Sequence, residues 1–120
     1  MEDWIGLPEG FIPTKEIGFA YLITNKDTGM KYIGKKCFWS MSKGERKESD
    51  WRKYKSSSKA VKTWKNIERR VLQVCHSQFE LSYVEIECII KTDALRRSDF
   101  CNYLIGREPI GRCPNYMMVK

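Results

Sequence analysis

The side chains here best suited to chemistry are two tyrosines, a run of cations and one oddly placed carboxylate. Tyr21 and Tyr32 sit in "GFAYLITNKDTGMKYIGKK", residues 18–36, where two apolar segments flank a polar turn and the second runs into Lys35 and Lys36. Arg52 follows in a basic stretch, and Glu85 interrupts the apolar side of a helical pattern. Such a set suits phosphodiester hydrolysis. A divalent metal needs a hard oxygen ligand, which Glu85 can supply, and polarises the phosphate. A cation offsets charge on the equatorial oxygens. A base must take a proton from the attacking water. A phenol, with an ordinary pKa of about 10, becomes a candidate if nearby positive charge lowers that value. The single histidine, His76, leaves few routes to a histidine-based mechanism. Its place between a strand and a helix suits capping.

These groups act together only if the chain positions them. Residues 1–17 carry Gly6, Pro8, Gly10 and Pro13 and predict an arm with little regular structure. Residues 19–24 are aromatic and branched, "NKDTG" is turn chemistry, and residues 31–34 resume as a strand, so residues 19–35 predict a β-hairpin. Residues 37–50 are polar and basic, broken by Ser40, Ser42 and Gly44, and predict a long, mobile loop. Asp50 or Ser49 can cap a short helix holding Trp51, Arg52 and Tyr54, and the serines of "SSSKAVKTWKNIE" can cap a second. "RRVLQVC" predicts a third strand paired with the hairpin. Ser77 opens the clearest helix, "SQFELSYVEIECIIKTDAL". At about 100° per residue, Glu80, Glu87 and Lys91 share one stripe, the expected wet face. Glu85 projects from the far side toward the sheet, where a carboxylate is tolerated only with a purpose or an ion-pair partner. The last twenty or so residues, "SDFCNYLIGREPIGRCPN" and beyond, hold too much Gly, Pro and Asn for regular structure. The fold expected is α/β (α+β): a small, mostly antiparallel three-stranded sheet flanked by helices, with residues 18–120 forming one domain.

Composition narrows the partners. The net charge is +7, yet residues 31–70 alone hold 14 Lys and Arg against four Asp and Glu, so the rest of the chain is acidic. That block is interleaved with Trp39, Trp51, Tyr54 and Trp64, a pattern that favours nucleic acid. Trp39 and Trp51 could stack on bases of opened DNA; Trp64 keeps helical spacing with Val61 and Ile67 and suits the core. The five cysteines are odd in number and contain no CxxC pair, which argues against a disulfide framework or a zinc ribbon. No apolar run approaches the roughly 20 residues of a membrane span. The acidic N-terminus lacks a signal pattern, so a cytosolic location is expected.

The motifs also carry a resemblance. "FAY" at 19–21 and "YIG" at 32–34 resemble the paired motifs of the GIY-YIG nucleases, with that family's turn and spacing between the tyrosines. "ESDWRKYKSSSKAV", "LQVCHSQFELSYVE" and "SDFCN" extend it to the phage Seg-type endonucleases of that superfamily, over roughly residues 18–112. By position, the resemblance implies Tyr21 as general base, Tyr32 as holder of water or phosphate, Glu85 as metal ligand and Asn102 as the asparagine that buttresses the site. Arg52 is the candidate for the helix arginine, with Lys35 and Lys36 as substitutes if it points away. The histidine that follows that arginine in the family is not evident; Tyr54 sits near its place. The function implied is a metal-dependent DNA endonuclease of homing or host-DNA-attacking type. Mg²⁺ is the expected cofactor, with Mn²⁺ able to substitute, and the infected bacterial cytoplasm the expected setting. Lys35, Lys36, Lys53, Lys55, Lys59 and Lys62 would track the DNA backbone. A chain ending at Lys120 is expected to lack a separate recognition domain. It would then cut loosely, read DNA branches, act as a homodimer or borrow a specificity partner. The competing expectation is a non-catalytic factor on the same fold that occupies nucleic acid or a host protein. An RNA substrate is the third.

Overall fold

The computed structural model describes residues 3–105 and 110–119. Strands β1 (Gly18–Asn25), β2 (Lys31–Cys37) and β5 (Ile67–Cys75) form the central sheet, in the order β2-β1-β5. Both pairings are antiparallel. A second, two-stranded sheet pairs β3 (Trp39–Ser42) with β4 (Glu45–Glu48). Helix α1 covers only Lys59–Lys62, and helix α2 spans Gln78–Lys91. Among the described residues, no helix is long and apolar enough to cross a membrane.

The β1–β2 hairpin follows from its turn. The Asn25 side-chain oxygen accepts from the Asp27 N–H at 2.9 Å, the Gly29 N–H bonds back to the Asn25 carbonyl at 2.7 Å, and Gly29 has φ 78°. A side chain there would pay the left-handed penalty that glycine avoids. Alternation then sorts β1. Phe19, Tyr21 and Ile23 face one layer, while Ala20 and Leu22 face α2. The first layer is an aromatic cluster in which Phe19, Tyr21, Phe38 and Trp51 are at most 3% exposed. Fully burying each such side chain is worth about 1.5–3 kcal/mol. The N-terminal arm belongs to this layer. Trp4 packs on Phe19 and Tyr21, its indole N–H donates to the Trp51 carbonyl at 2.7 Å, and Ile5 bridges to Arg70. On the other face, Leu81, Val84 and Ile89 of α2 are buried against the sheet.

Helix α2 starts where Ser77 predicts. The Ser77 hydroxyl caps the Glu80 N–H at 3.0 Å, and the Glu80 carboxylate reaches back to the His76 N–H at 2.6 Å. This is a capping box displaced by one residue, so His76 is a helix-entry residue. The expected wet stripe needs one correction. The Glu80 side chain is only 13% exposed, because Tyr116 donates to it at 3.0 Å, while Tyr83 and Ile90 lie in the open. The cover comes from a tail far away in sequence.

Two further expectations are overturned. Residues 37–50 are not one long loop. They form the β3–β4 ribbon, closed by Lys43 (φ 52°) and Gly44 (φ 77°). Two consecutive positive φ values are those of a type I′ hairpin turn, and the Arg46 guanidinium stacks 4.0 Å from the Trp39 ring. Around Trp51, Arg52 and Tyr54 there is no helix but a turn, with the Tyr54 N–H bonded to the Trp51 carbonyl at 3.3 Å. Trp51 is drawn into the aromatic core there. The second expected helix shrinks to one turn because the Lys55 ammonium binds the Lys62 and Trp64 carbonyls, and the chain then enters β5 at buried Ile67. The irregular C-terminal stretch is seen at 101–105 and 110–114, with one 3₁₀ turn at Asn115–Met117. Residues 106–109 lie outside the described residues.

Candidate active site

The two tyrosines meet because of strand register. Tyr21 pairs with Gly34 and Ile23 with Tyr32, which places both tyrosines on one face of the sheet as diagonal neighbours. Their ring centroids are 6.4 Å apart. Gly34 makes this possible. A Cβ at that position would lie 2.4 Å from the Tyr21 hydroxyl oxygen, so the glycine opens the floor that the Tyr21 ring crosses. On the other side of β1 the register with β5 shifts between Ala20 and Tyr21. Bulges of this kind re-aim a side chain.

Beside this pair lies a cleft of about 770 Å³ at the outer edge of β2. Tyr32 and Lys35 form its strand wall, Glu85 and Ile89 of α2 another, residues 57–60 a third and residues 101–104 the fourth. Tyr21 reaches it from behind. The sequence readings for Tyr21, Tyr32, Lys35, Lys59, Glu85 and Asn102 therefore converge on one cavity.

Glu85 is half-buried, and the loss of water around it pushes its carboxyl above the ordinary range, with Lys35 partly opposing. Lys35 is held in place by donating to the Ser82 hydroxyl at 2.8 Å, one turn before Glu85 on the same helix. Among the described residues, no hydrogen bond or salt bridge occupies Glu85. The ion-pair explanation for a carboxylate on this face is thereby reduced to one cation nearby. No group of three or more His, Cys, Asp or Glu able to hold a metal occurs among the described residues. A cation here would rest on Glu85 with water and substrate oxygens completing its shell. Mg²⁺ tolerates that, since it keeps several waters and often binds through one carboxylate plus phosphate. A half-buried, unpaired carboxylate lining an open cleft fits such an ion.

Tyr21 departs from expectation. Neighbouring cations do not bring its phenol down; burial pushes it far above the ordinary value in the free protein. The residue is 1% exposed, and its hydroxyl lies 3.5 Å from the Ser56 hydroxyl, which in turn accepts from the Ser58 N–H at 3.0 Å. Tyr32 is raised as well, first by burial and then by the negative charge of Glu85. Ser56 and Ser57 were legible only as helix caps, yet Ser58 is the cap, and Ser56 serves Tyr21.

Asn102 is a clamp. Its side-chain oxygen accepts from the Ile33 N–H at 2.9 Å, and its amide donates to the Ile33 carbonyl at 2.8 Å. Lys31 bonds through its backbone N–H to Asp99 and through its carbonyl to Cys101. Residues 99–102 thus pair along the outer edge of β2, and the asparagine amide continues that ladder where the backbone leaves it. This closes an otherwise open sheet edge and holds the "YIG" backbone against the cleft.

Other candidates are drawn elsewhere. Arg52 is absent from the cleft walls: its guanidinium bonds to Glu48 at 3.0 Å and stacks on Trp51. With no helix to aim it, Arg52 is a brace between the ribbon and the core. Lys36 ion-pairs with Asp50 at 2.7 Å and lies 4.1 Å from the Tyr54 ring. Lys55 caps α1 from within. Lys53, Lys59 and Lys62 are exposed. Trp51 is buried at 3% exposure, and the Trp39 ring is covered by the Arg46 guanidinium at 4.0 Å, so neither offers a free face to a base. Tyr103, which no sequence pattern marked, is the exposed aromatic at the cleft.

Among curated proteins and among solved structures, nothing matches the chain. A family model does, over residues 7–105, a span that takes in both tyrosine motifs, Glu85 and Asn102. The chain belongs to the family described as putative endonuclease segE, GIY-YIG domain.

Proposed function

We propose that this protein is a metal-dependent DNA endonuclease that hydrolyses phosphodiester bonds in the cleft at the β2 edge. The observation that carries the reading is convergence. Two tyrosines, a half-buried unpaired carboxylate and two lysines from separate segments line one cavity. A packing role for any one of them would not require the others to be there.

Glu85 would hold Mg²⁺, which when bound supplies a Lewis acid for phosphate oxygens and cancels the negative charge that raises Tyr32. Lys35 and Lys59, from different walls, take the charge-offsetting role expected of Arg52. Tyr32 positions the scissile phosphate at the mouth. Tyr21 takes the proton of the attacking water, its ring fixed by Trp4, Tyr54 and the floor at Gly34. Because Tyr21 keeps its proton in the free protein, it becomes a base only once substrate and positive charge are assembled around it. Asn102 acts through Ile33, as a positioning residue.

The test is a plasmid assay with wild type in Mg²⁺, wild type in EDTA, and Glu85→Ala in Mg²⁺. Nicking or linearisation by the wild type with metal alone is the expected result. A salt-sensitive gel shift in all three without cutting would move the protein to the class of nucleic-acid-binding factors. Matched RNA and DNA oligomers decide the sugar.

A further inference from the structure

The cleft has an aromatic lip that phosphate chemistry does not use. Tyr103 is 76% exposed and Leu104 41%, and both line the cavity that holds Tyr32 and Glu85. They follow directly on a pinned stretch of backbone. The preceding residue, Asn102, is pinned to Ile33 by two hydrogen bonds, and Cys101 is bonded to the Lys31 carbonyl at 2.9 Å. A tyrosine whose ring is left in water beside a clamped backbone contributes little to folding. The ring faces of the four tryptophans are otherwise engaged: Trp4 on Phe19 and Tyr21, Trp39 under Arg46, Trp51 in the core and Trp64 against it.

We infer that Tyr103 is a stacking platform for a nucleobase next to the scissile phosphate, and that the preferred substrate is DNA with an unpaired nucleotide there, as at a bulge or branch. The inference rests on the nuclease reading of this cleft and narrows its substrate class. Lys35 and Lys59 account for the phosphate. On a nucleic acid, the group next along from a bound phosphate is a sugar with its base. The apolar lip of Tyr103 and Leu104 offers a flat face and a side wall for that base. In a perfect duplex the base is stacked and paired, and turning it out costs a few kcal/mol, a cost that is smallest for an unpaired base.

The experiment uses the full chain in EDTA, so that no strand is cut, and a duplex carrying 2-aminopurine at a single-nucleotide bulge. Anisotropy of a distal label reports binding, and 2-aminopurine fluorescence reports stacking. Wild type is expected to bind and to quench the signal. Tyr103→Trp should keep the quench. Tyr103→Ala should lose it and bind the bulged duplex between about 5-fold and 150-fold more weakly, the range for loss of one base–aromatic stack, with little change on perfect duplex. Equal quenching and equal affinity in wild type and Tyr103→Ala would overturn the platform. Equal affinity of wild type for bulged and perfect duplex would overturn the substrate preference. Absence of binding to either DNA would remove the nucleic-acid reading beneath both.

Discussion

Glu85 carries a cost in the free protein. Its carboxyl is raised by burial, so the protonated form prefers the folded chain. Its contribution to stability is therefore fully present below the unfolded pKa and is lost as pH rises through the folded one. Glu85→Gln removes that titration. The variant is expected to melt above wild type at neutral pH, with the difference closing as pH falls through the carboxylate range; thermal melts across pH read this directly. A variant that is more stable and yet inactive would mark a carboxylate kept for chemistry rather than packing. Tyr21 sets a second pH dependence. With its phenol raised, the deprotonated fraction grows with pH well past neutrality, so cleavage under single-turnover conditions should keep rising on the alkaline side. Tyr21→Phe should flatten that limb and slow cutting by about 10²–10⁴-fold, the usual worth of a general base. If Tyr32→Phe flattens it instead, the proton acceptor is Tyr32.

At the scale of elements, the site depends on strand β2 being held from both sides. Asn102→Ala leaves the Ile33 N–H and carbonyl without partners in a buried setting. Each unsatisfied group costs about 1–3 kcal/mol, so urea denaturation should show a loss of about 2–6 kcal/mol. Activity should fall further than the unfolded fraction explains, because the Tyr32 backbone loosens with it. Gly34→Ala acts on the inner side. The added methyl meets the Tyr21 hydroxyl oxygen at 2.4 Å, and either the ring or the β1–β2 register must give. Overpacking of this kind costs about 1–3 kcal/mol. Its chemical signature is loss of cleavage with binding of DNA retained, measured by gel shift beside the plasmid assay.

At the scale of the molecule, the basic block is not a uniform DNA surface. Lys36 and Lys55 spend their ammonium groups on Asp50 and on backbone carbonyls. Lys53, Lys59 and Lys62 are exposed, and Lys35 faces the cleft. If those four contact phosphates, the slope of log K against log salt should lie between about −3 and −4. Charge removal at Lys53, Lys59 or Lys62 should make it shallower by about one unit each, whereas Lys36→Met should leave the slope unchanged while lowering stability. Titrations at several salt concentrations separate the two classes of lysine.

The sequence alone carried what is local or strictly periodic. Alternation and the Asn25–Gly29 turn specified the hairpin. The Ser77 cap and the 3.6-residue period specified α2 and turned Glu85 inward. Since register follows the turn, the meeting of Tyr21 and Tyr32 was legible too. Where a partner distant along the chain decides the outcome, the sequence was silent. Trp51 joins the aromatic core from a turn, and Arg52 is turned to Glu48. Ser56 meets Tyr21 across 35 positions. The Tyr116 tail covers Glu80. Asn102 completes the edge of β2 across 69 positions and leaves Tyr103 at the lip. Local propensity is weak beside the burial of a large aromatic or the pairing of an open strand edge. Which lysines are free, which arginine is spent and which aromatic faces the cleft were therefore settled only when the chain packed.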